Sequence, residues 1–431
     1  MTTTGDLEGV IRDAMRDLGI PGVAVAVLDG DDVRTVCDGV TSVDDPLPVT
    51  DTTLFHIGSI SKTFVATAAM ALLAEGRLDL YEPIATYVDD LRLSSPELTA
   101  GVTMRHLLTH TTGWVGDYFA DTGEGDDALA RFVAKLAKAP QRTPLGWTYS
   151  YNNSAFNLAS HVVARVADTT YERAVRKLVL EPLGMRRTCF SAEDAITRRV
   201  AIGHRNGVAQ RWRRPRAHHG AGGVLSSVDD LVRYARFHLG AATPELAAMQ
   251  QVQRPAGSLC DEVGLAWMID RHAGVTLVHH GGTTNGYQAD LRLVPDRDQG
   301  WVMLTNAEHH HQLDRLIREC LLGPDTPLAP FVPPVGTLHG YAGHYESALA
   351  DLDVVVDGDG LRLDVSTPRR ALWNPEDEVA PPQPTRLVFR DADRVQAVDR
   401  PFTGHRGEFV CGDDGDIAWF RWDGRIARRT A

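Results

Sequence analysis

The sequence predicts an α/β (α+β) domain in which helices flank an antiparallel sheet, followed by a smaller all-β barrel. The chain has 431 residues, enough for more than one hydrophobic core. Helical patterns alternate with short apolar strands up to residue 323, whereas β-rich runs separated by Asp-Gly turns follow residue 336. Between them, five prolines within eleven residues can continue neither a helix nor a sheet. We therefore predict domains at 1–323 and 337–431, joined by a proline-rich linker at 324–336.

Local patterns predict the elements of the first domain. Residues 7–18 have the spacing of an amphipathic helix, and the apolar runs GVAVAVLD and VRTVCDG that follow predict a hairpin. A second helix follows Gly58 and ends at Gly76, and a third begins near Asn153. The runs VTLV, ADLRLV and WVMLT, all within 274–308, predict consecutive antiparallel strands.

Composition excludes several classes of function. A formal net charge of −13 argues against a nucleic-acid or anionic-membrane surface. No run of eighteen apolar residues could span a bilayer, and the acidic N-terminal segment lacks the pattern of a signal peptide. The five cysteines are odd in number and contain no CxxC pair, which favours free thiols in a reducing compartment. We therefore expect a cytoplasmic protein with neither nucleic acid nor membrane as a partner.

The first motif that could carry out catalysis consists of Ser59 and Lys62, at the start of the second predicted helix. A helix N-terminus favours developing negative charge, and a spacing of three residues puts the two side chains on one face. A serine hydroxyl becomes a good nucleophile when a nearby base removes its proton, and a lysine with a lowered pKa can be that base. A capping serine beside a solvated lysine would give the same spacing, so the motif alone leaves both interpretations open.

The second motif is Tyr151 and Asn153, on the turn that leads into the third helix. A phenol next to an ammonium group can exchange protons with a serine or with a leaving group. An amide can hold a substrate carbonyl or amide group. Taken alone, a packed tyrosine and a capping asparagine explain the segment equally well.

The third motif is the run HHGGTT in the predicted sheet. Gly281 and Gly282 mark a place where a ligand could approach the backbone closely, with His280 as a polar group beside it. The strand could offer the backbone N–H of Thr283, which together with the N–H of Ser59 would form an oxyanion hole. A loop histidine beside flexible glycines is the alternative.

Taken in order, the three motifs resemble those of the serine β-lactamase and penicillin-binding-protein superfamily, particularly its class C β-lactamase-like branch. Members of that family carry Ser-x-x-Lys, Tyr-x-Asn and Lys/His-x-Gly on one site. The stretches VTMRHLLTHTTGW, GAGGVLSSVDDLVRYARF and PDRDQGWVMLTN resemble the family as well, so that the resemblance covers about residues 7–322. Downstream, GYAGHY and the final IAWFRWDGRIARR look like the lipocalin-like barrel appended to many such hydrolases.

The resemblance implies a role for each motif residue. Ser59 becomes the acylated nucleophile, and Lys62 becomes its base or the charge that keeps Tyr151 reactive. Tyr151 becomes the proton shuttle, and Asn153 becomes a contact for a substrate amide. His280 stands where β-lactamases carry a lysine, which argues against antibiotic hydrolysis and favours the branch of esterases, peptidases and acyl-transferring cyclases.

We therefore expect a serine hydrolase or acyltransferase that forms an acyl-enzyme on Ser59. The expected substrate is a cytosolic ester or peptide, including peptides with D-residues. The first alternative is a penicillin-binding-protein-type thioesterase that cyclises or transfers a carrier-bound peptide in natural-product biosynthesis, with a peptidyl carrier protein as partner. The second alternative is a non-enzymatic binding protein on the same fold.

No cofactor or metal is expected. The consecutive histidines at 309–311 cannot all face one ion from a regular element. The basic segment 205–219 is interpreted as a solvated loop of an acidic chain, in which an arginine could meet a substrate carboxylate.

Overall fold

The computed structural model describes residues 7–210, 212–240, 243–308, 312–324, 331–333, 336–368, 381–412 and 414–430. Within these ranges the chain forms an α/β unit built on an eight-stranded sheet and a closed eight-stranded barrel. Both parts of the predicted fold class are therefore confirmed.

The large sheet is antiparallel in each of its recorded strand pairs. The first twelve strands are β1 (Gly22–Asp29), β2 (Asp32–Gly39), β3 (Phe55–His56), β4 (His204–Arg205), β5 (Val208–Ala209), β6 (Leu225–Ser226), β7 (Arg254–Pro255), β8 (Glu262–Val263), β9 (Met268–His272), β10 (Val275–Thr284), β11 (Tyr287–Val294) and β12 (Gln299–Thr305). The sheet order is β2-β1-β12-β11-β10-β9-β8-β7, and the short pairs β3-β6 and β4-β5 stand apart from it. The predicted hairpin β1-β2 and the three consecutive strands β10 to β12 are present.

Helices cover the sheet. They are α1 (Leu7–Leu18), α2 (Ser61–Ala74), α3 (Pro96–Gly101), α4 (Met104–Leu108), α5 (Ala128–Lys135), α6 (Asn153–Ala167), α7 (Tyr171–Val175), α8 (Ala192–Ala195), α9 (His219–Gly222), α10 (Val228–Gly240), α11 (Pro244–Met249) and α12 (Gln312–Leu322). Single turns of other helix types lie at Gly58–Ile60, Ile84–Thr86, Leu136–Lys138, Arg176–Leu180, Arg216–His218 and Pro295–Arg297. In the described part of the chain, no helix has the length and apolar character needed to cross a membrane.

Both faces of the sheet are buried, which strand β1 illustrates. Its Ala24, Ala26 and Leu28 belong to the large core that also contains residues of α2, α6 and α10. Its Val23 and Val25 point to the other side, into a second core with α1 and α12. Alternate residues of a strand face opposite sides of the sheet, so a run of apolar residues is expected where both sides are covered.

A tight hairpin turn sets the register of β10 against β11. Asn285 and Gly286 have φ angles of 42° and 83°, and Thr284 pairs with Tyr287 across them. Two positive φ angles are the requirement of a type I′ turn, which Asn-Gly satisfies well. The turn therefore fixes which residues of β10 face the start of α2.

The C-terminal barrel is closed by pairing of its first and last strands. Its elements are α13 (Leu338–Tyr341), β13 (Gly343–Glu346), β14 (Asp351–Asp357), β15 (Gly360–Ser366), β16 (Gln383–Phe389), β17 (Arg394–Ala397), β18 (Arg406–Cys411), β19 (Ile417–Trp422) and β20 (Arg425–Arg429). Alternate residues of its strands, such as Leu352 and Val354, fill an interior of apolar side chains. The linker at 324–336 lies largely outside the described residues, and its limits remain a prediction.

Arginines of the barrel hold it against the α/β unit. Arg406 pairs with Asp261 at 2.7 Å and with Asp270 at 3.1 Å. Arg421 donates to the Tyr149 carbonyl at 3.1 Å. Because these guanidinium groups are largely buried, the contacts fix the position of the barrel more firmly than exposed ion pairs would.

Candidate active site

Ser59 lies in the turn between β3 and α2. The turn Gly58–Ile60 is a single 3₁₀ turn, and Ser59 is only partly buried within it. Gly58 has a φ of 50°, and a Cβ at this position would lie 2.9 Å from the Thr283 backbone nitrogen. Glycine is therefore required there for both conformation and space. The helix α2 starts at Ser61, two residues after Ser59, so that Ser59 lies in the 3₁₀ turn before the helix and not in its first turn.

Lys62 is fully buried beside Ser59. Its Nζ lies 3.0 Å from the Ser59 Oγ, 2.7 Å from the Asn153 Oδ1 and 2.6 Å from the Ala221 carbonyl oxygen. Burial lowers the pKa of Lys62 well below its ordinary value. The Asp117 carboxylate opposes this shift in the pKa, and the positive charges of Arg425 and Arg214 add to it.

The contacts of Lys62 suit both protonation states: an ammonium group can donate to all three oxygens, whereas a neutral amine can donate to two of them and accept from the Ser59 hydroxyl. A neutral amine has two N–H groups and one lone pair, whereas an ammonium group has three N–H groups. The Ala221 carbonyl and the Asn153 Oδ1 can only accept, so they take the two N–H groups. In the neutral form, which burial favours, the lone pair is left for the hydroxyl proton of Ser59, which is the arrangement that a general base needs.

Tyr151 packs between cationic and aromatic groups. Its ring stacks on His110 with centroids 4.5 Å apart, and the Nζ of Lys62 and the Cζ of Arg425 lie 4.8 Å and 5.0 Å from its centroid. Burial raises the pKa of Tyr151 above its ordinary value, although contact with the Ser59 hydroxyl acts in the opposite direction. The phenol is therefore protonated at neutral pH and can donate a proton.

Asn153 bridges Lys62 and an acidic residue that sequence reasoning missed. Its Oδ1 accepts from Lys62, and its Nδ2 donates to the Asp117 Oδ1 at 2.6 Å. The carboxylate partner identifies which end of the amide carries the nitrogen. Both ends of the side chain are thus engaged within the protein, which makes Asn153 a positioning residue for Lys62. The predicted contact with a substrate amide remains a prediction.

The barrel contributes to the site through Arg425. Its Nε and Nη2 donate to the two carboxylate oxygens of Asp117 at 2.9 Å and 3.3 Å. Asp117 has 3% of its side chain exposed, and Arg425 has 22% exposed. A line of polar contacts therefore runs from the barrel through Asp117 and Asn153 to Lys62. The sequence gives no signal for this contact, because the two residues are 308 positions apart.

Strand β10 approaches the Ser59 turn along the predicted glycines. A Cβ on Gly282 would lie 2.0 Å from the Ile57 carbonyl oxygen and 2.9 Å from the Ser59 nitrogen. Gly282 thus makes room for the backbone before Ser59, and the predicted approach of a ligand to Gly281 and Gly282 remains a prediction. At Gly281 a Cβ would lie 3.0 Å from the Asp290 Oδ1.

The Thr283 N–H does not pair with β11. Thr284 and Tyr287 close the two-residue hairpin, so Thr283 and Gln288 form the next, non-hydrogen-bonded pair. The N–H of Thr283 therefore points away from β11, on the side where Gly58 approaches to within contact distance. The oxyanion hole formed by Ser59 and Thr283 remains a proposal.

His280 is buried and neutral. Its Nδ1 lies 2.6 Å from the Gly281 carbonyl oxygen, so this nitrogen carries the proton. Its Nε2 is buried and has no partner among the described residues. Burial, together with the charge of Lys62, lowers the pKa of His280 to about 3. His280 can therefore supply a lone pair to the site, whereas the lysine of the resembled motif would supply a positive charge.

One group of side chains in the described ranges has the geometry for a metal ion. Ligand atoms of His344, Glu346 and Asp351 on the barrel lie within 4.8 Å of one another. His344 already hydrogen bonds to Asp353 at 2.6 Å. The histidines at 309–311 lie outside the described residues.

Comparison with known proteins confirms the resemblance drawn from the motifs. Residues 7–320 match the family model described as Beta-lactamase. Penicillin-binding protein 4 of Amycolatopsis lactamdurans is 32% identical over 316 residues, which cover 68% of this chain and 83% of that protein. Unguisins hydrolase ungD of Aspergillus violaceofuscus is 27% identical over 353 residues, which cover 71% of this chain and 61% of the relative.

Solved structures share the fold, and one of them matches over both domains. A crystal structure of SurE with D-Leu has a TM-score of 0.76 and 24% identity, and the match covers 98% of both chains. A class C beta lactamase from Rhodobacter sphaeroides has a TM-score of 0.64 and 25% identity, covering 74% of this chain and 99% of that chain. The family match over residues 7–320 and the identity to penicillin-binding protein 4 place this chain in the beta-lactamase family of serine hydrolases.

Proposed function

We propose that this protein is a serine hydrolase that forms an acyl-enzyme on Ser59 with neutral Lys62 as the general base. The observation that carries the proposal is the set of contacts at the Lys62 Nζ. Two acceptors take its N–H groups, and the Ser59 Oγ lies 3.0 Å from the remaining position. Burial lowers the pKa of Lys62, which favours the form that can accept a proton.

In the proposed reaction, the Ser59 Oγ attacks the substrate carbonyl carbon and its proton passes to Lys62. The N–H groups of Ser59 and Thr283 stabilise the oxyanion. Tyr151 gives its proton to the leaving group as the bond from the carbonyl carbon to that group breaks, and Lys62 returns a proton to Tyr151. Water then attacks the ester on Ser59, loses its proton to Lys62 and releases the acid as the serine oxygen is protonated.

The proposed substrate is an ester or peptide in the cytosol, not a β-lactam. His280 is neutral, so it does not supply the positive charge that the lysine of the third motif would supply. The match to an unguisins hydrolase supports a peptide as substrate, although this chain spans 61% of that relative. Peptides with D-residues and carrier-bound peptides are included in the proposal, the latter with a peptidyl carrier protein as donor.

A peptidyl thioester with a free N-terminal amine tests the proposal and identifies the acceptor. The protein is mixed with a peptide carried as the thioester of N-acetylcysteamine, and the products are separated by mass. We expect a linear acid, formed faster than in a Ser59→Ala variant. A cyclic product would identify an amine as the acceptor instead of water. Equal rates for the parent and the variant would refute catalysis by Ser59 and favour a binding protein.

A further inference from the structure

A guanidinium group without an anionic partner among the described residues lies near the turn that carries Ser59. If Gly222 carried a Cβ, that atom would be 3.9 Å from the Nη2 of Arg214 and 3.7 Å from the carbonyl carbon of Gly58. Arg214 therefore lies close to the residue that precedes Ser59. Its positive charge is also felt at Lys62, where it helps to lower the pKa of that amine.

Two other arginines of the same segment are neutralised by carboxylates, whereas Arg214 is not. Arg213 pairs with Glu124, and Arg216 pairs with Glu172 at 3.2 Å. Among the residues that the structure describes, Arg214 has neither a hydrogen-bond partner nor an ion-pair partner. Burial lowers the pKa of Arg214, but a guanidinium group remains charged at neutral pH. A partly buried, unpaired cation is costly, so its retention needs an explanation.

A neighbour of Arg214 provides a further nitrogen atom without a partner. The Nε of Arg214 is buried and unpartnered, as is the Nε1 of Trp212, within the described residues. The rings of His56 and Trp212 lie 5.0 Å apart, and the charge of Arg214 lowers the pKa of His56. The region beside Ser59 thus has spare N–H donors and positive charge, which suits an anion.

We propose that Arg214 binds a carboxylate of the acyl substrate and so determines specificity; this inference rests on the proposed acylation of Ser59. A carboxylate is the anion that amino-acid esters and peptides carry, and the planar guanidinium group can bind it through two hydrogen bonds. The carboxylate has two sources, the acyl part that stays on Ser59 and the group that leaves. Binding in the first position would hold the acyl chain, and binding in the second would orient the leaving group.

Two pairs of probes separate these sources. For the acyl part, 4-nitrophenyl hydrogen glutarate is compared with 4-nitrophenyl butyrate. For the leaving group, the thioester of N-acetylalanine with mercaptoacetate is compared with the thioester with mercaptoacetamide. In each pair, kcat/KM for the charged probe is divided by kcat/KM for the neutral probe. A loss of activity that affects both probes equally does not change this ratio.

We expect the parent protein to prefer the charged probe in one pair. In Arg214→Gln this ratio should fall roughly 10- to 100-fold, as expected when a hydrogen-bonded charge pair is lost. Arg214→Lys should restore part of the ratio, because the charge remains while the paired hydrogen bonds do not. The matched control is Arg213→Gln, because Arg213 is exposed and pairs with Glu124, and its ratio should equal that of the parent.

A second readout reports the electrostatic effect of Arg214 on Lys62, which does not depend on a bound carboxylate. Because the charge of Arg214 lowers the pKa of Lys62, Arg214→Gln should move the acid limb of the acylation rate to higher pH. No preference for either charged probe in the parent would overturn the inference, even if the variants do not fold. A preference that persists in Arg214→Gln would also overturn it. Absence of acylation of the parent by all four probes would instead overturn the proposed function, and with it the role of Arg214.

Discussion

The ion pair of Asp117 and Arg425 is the point at which the barrel reaches the catalytic lysine, and its removal gives a quantitative prediction. We consider Asp117→Asn, Arg425→Gln and the double variant. Each substitution removes one charge and keeps a polar side chain, which is close to isosteric for Asp117→Asn and shorter for Arg425→Gln. The single variants leave the partner charge buried and unpaired, whereas the double variant leaves neither charge.

The geometry sets the expected magnitude. The two hydrogen bonds are 2.9 Å and 3.3 Å long, and the Asp117 side chain is 3% exposed. Two unit charges about 4 Å apart attract by about 4 kcal/mol at an effective dielectric constant of about 20. Removing one partner of a buried pair leaves the other charge buried and unpaired. Each single variant should therefore lose about 3 kcal/mol of unfolding free energy. The double variant should lose less than the sum of the two, with a coupling free energy of about 2 kcal/mol or more.

The assay is urea unfolding of the full chain at 25 °C, followed by tryptophan fluorescence and by far-ultraviolet circular dichroism. The matched control is Arg386→Gln, which breaks the ion pair of Arg386 with Asp399 on the barrel. The Arg386 side chain is 71% exposed. Such an exposed pair should contribute little to the unfolding free energy. If Arg425→Gln cost no more than this control, or the coupling were below about 0.5 kcal/mol, the reasoning about the buried pair would be refuted.

Two further predictions concern the catalytic turn. The rate of Ser59 acylation should rise with pH as Lys62 loses its proton, with a midpoint below the usual lysine range. Asp117→Asn should move that midpoint to lower pH, because the carboxylate raises the pKa of Lys62; an unchanged or higher midpoint in stopped-flow profiles would contradict this. Gly282→Ala should slow acylation on the order of 100-fold, because its methyl group would lie 2.0 Å from the Ile57 carbonyl oxygen and displace the turn. Gly240→Ala, whose methyl group would meet no atom within 4 Å, is the control and should acylate at the parent rate.

Local patterns predicted much of the fold because they depend on near neighbours. The amphipathic spacing at 7–18 matches α1, and the helix expected near Asn153 starts at that residue. The strands β10 and β11 were predicted from their apolar runs, and the structure adds that an Asn-Gly turn joins them. These features need no information about distant parts of the chain.

The site was predictable only where a motif carries its own geometry. Ser59 and Lys62 lie one turn apart, so their contact follows from the helix that starts between them. The contact of Asp117 with Arg425 depends on how the barrel docks, and no local pattern encodes that placement. The sequence also could not show that Arg214, unlike Arg213, has no carboxylate partner among the described residues. The two arginines are adjacent in sequence, and only the fold places Glu124 beside Arg213.

The most direct test of the account is covalent labelling of Ser59. The protein is exposed to a fluorophosphonate, and the intact mass and the labelled peptide are measured. The account predicts a single adduct on Ser59, loss of the adduct in Ser59→Ala, and full labelling of a Ser94→Ala control, since Ser94 is an exposed loop residue. Labelling of Ser59→Ala at the rate of the parent would contradict the claim that Ser59 is the nucleophile.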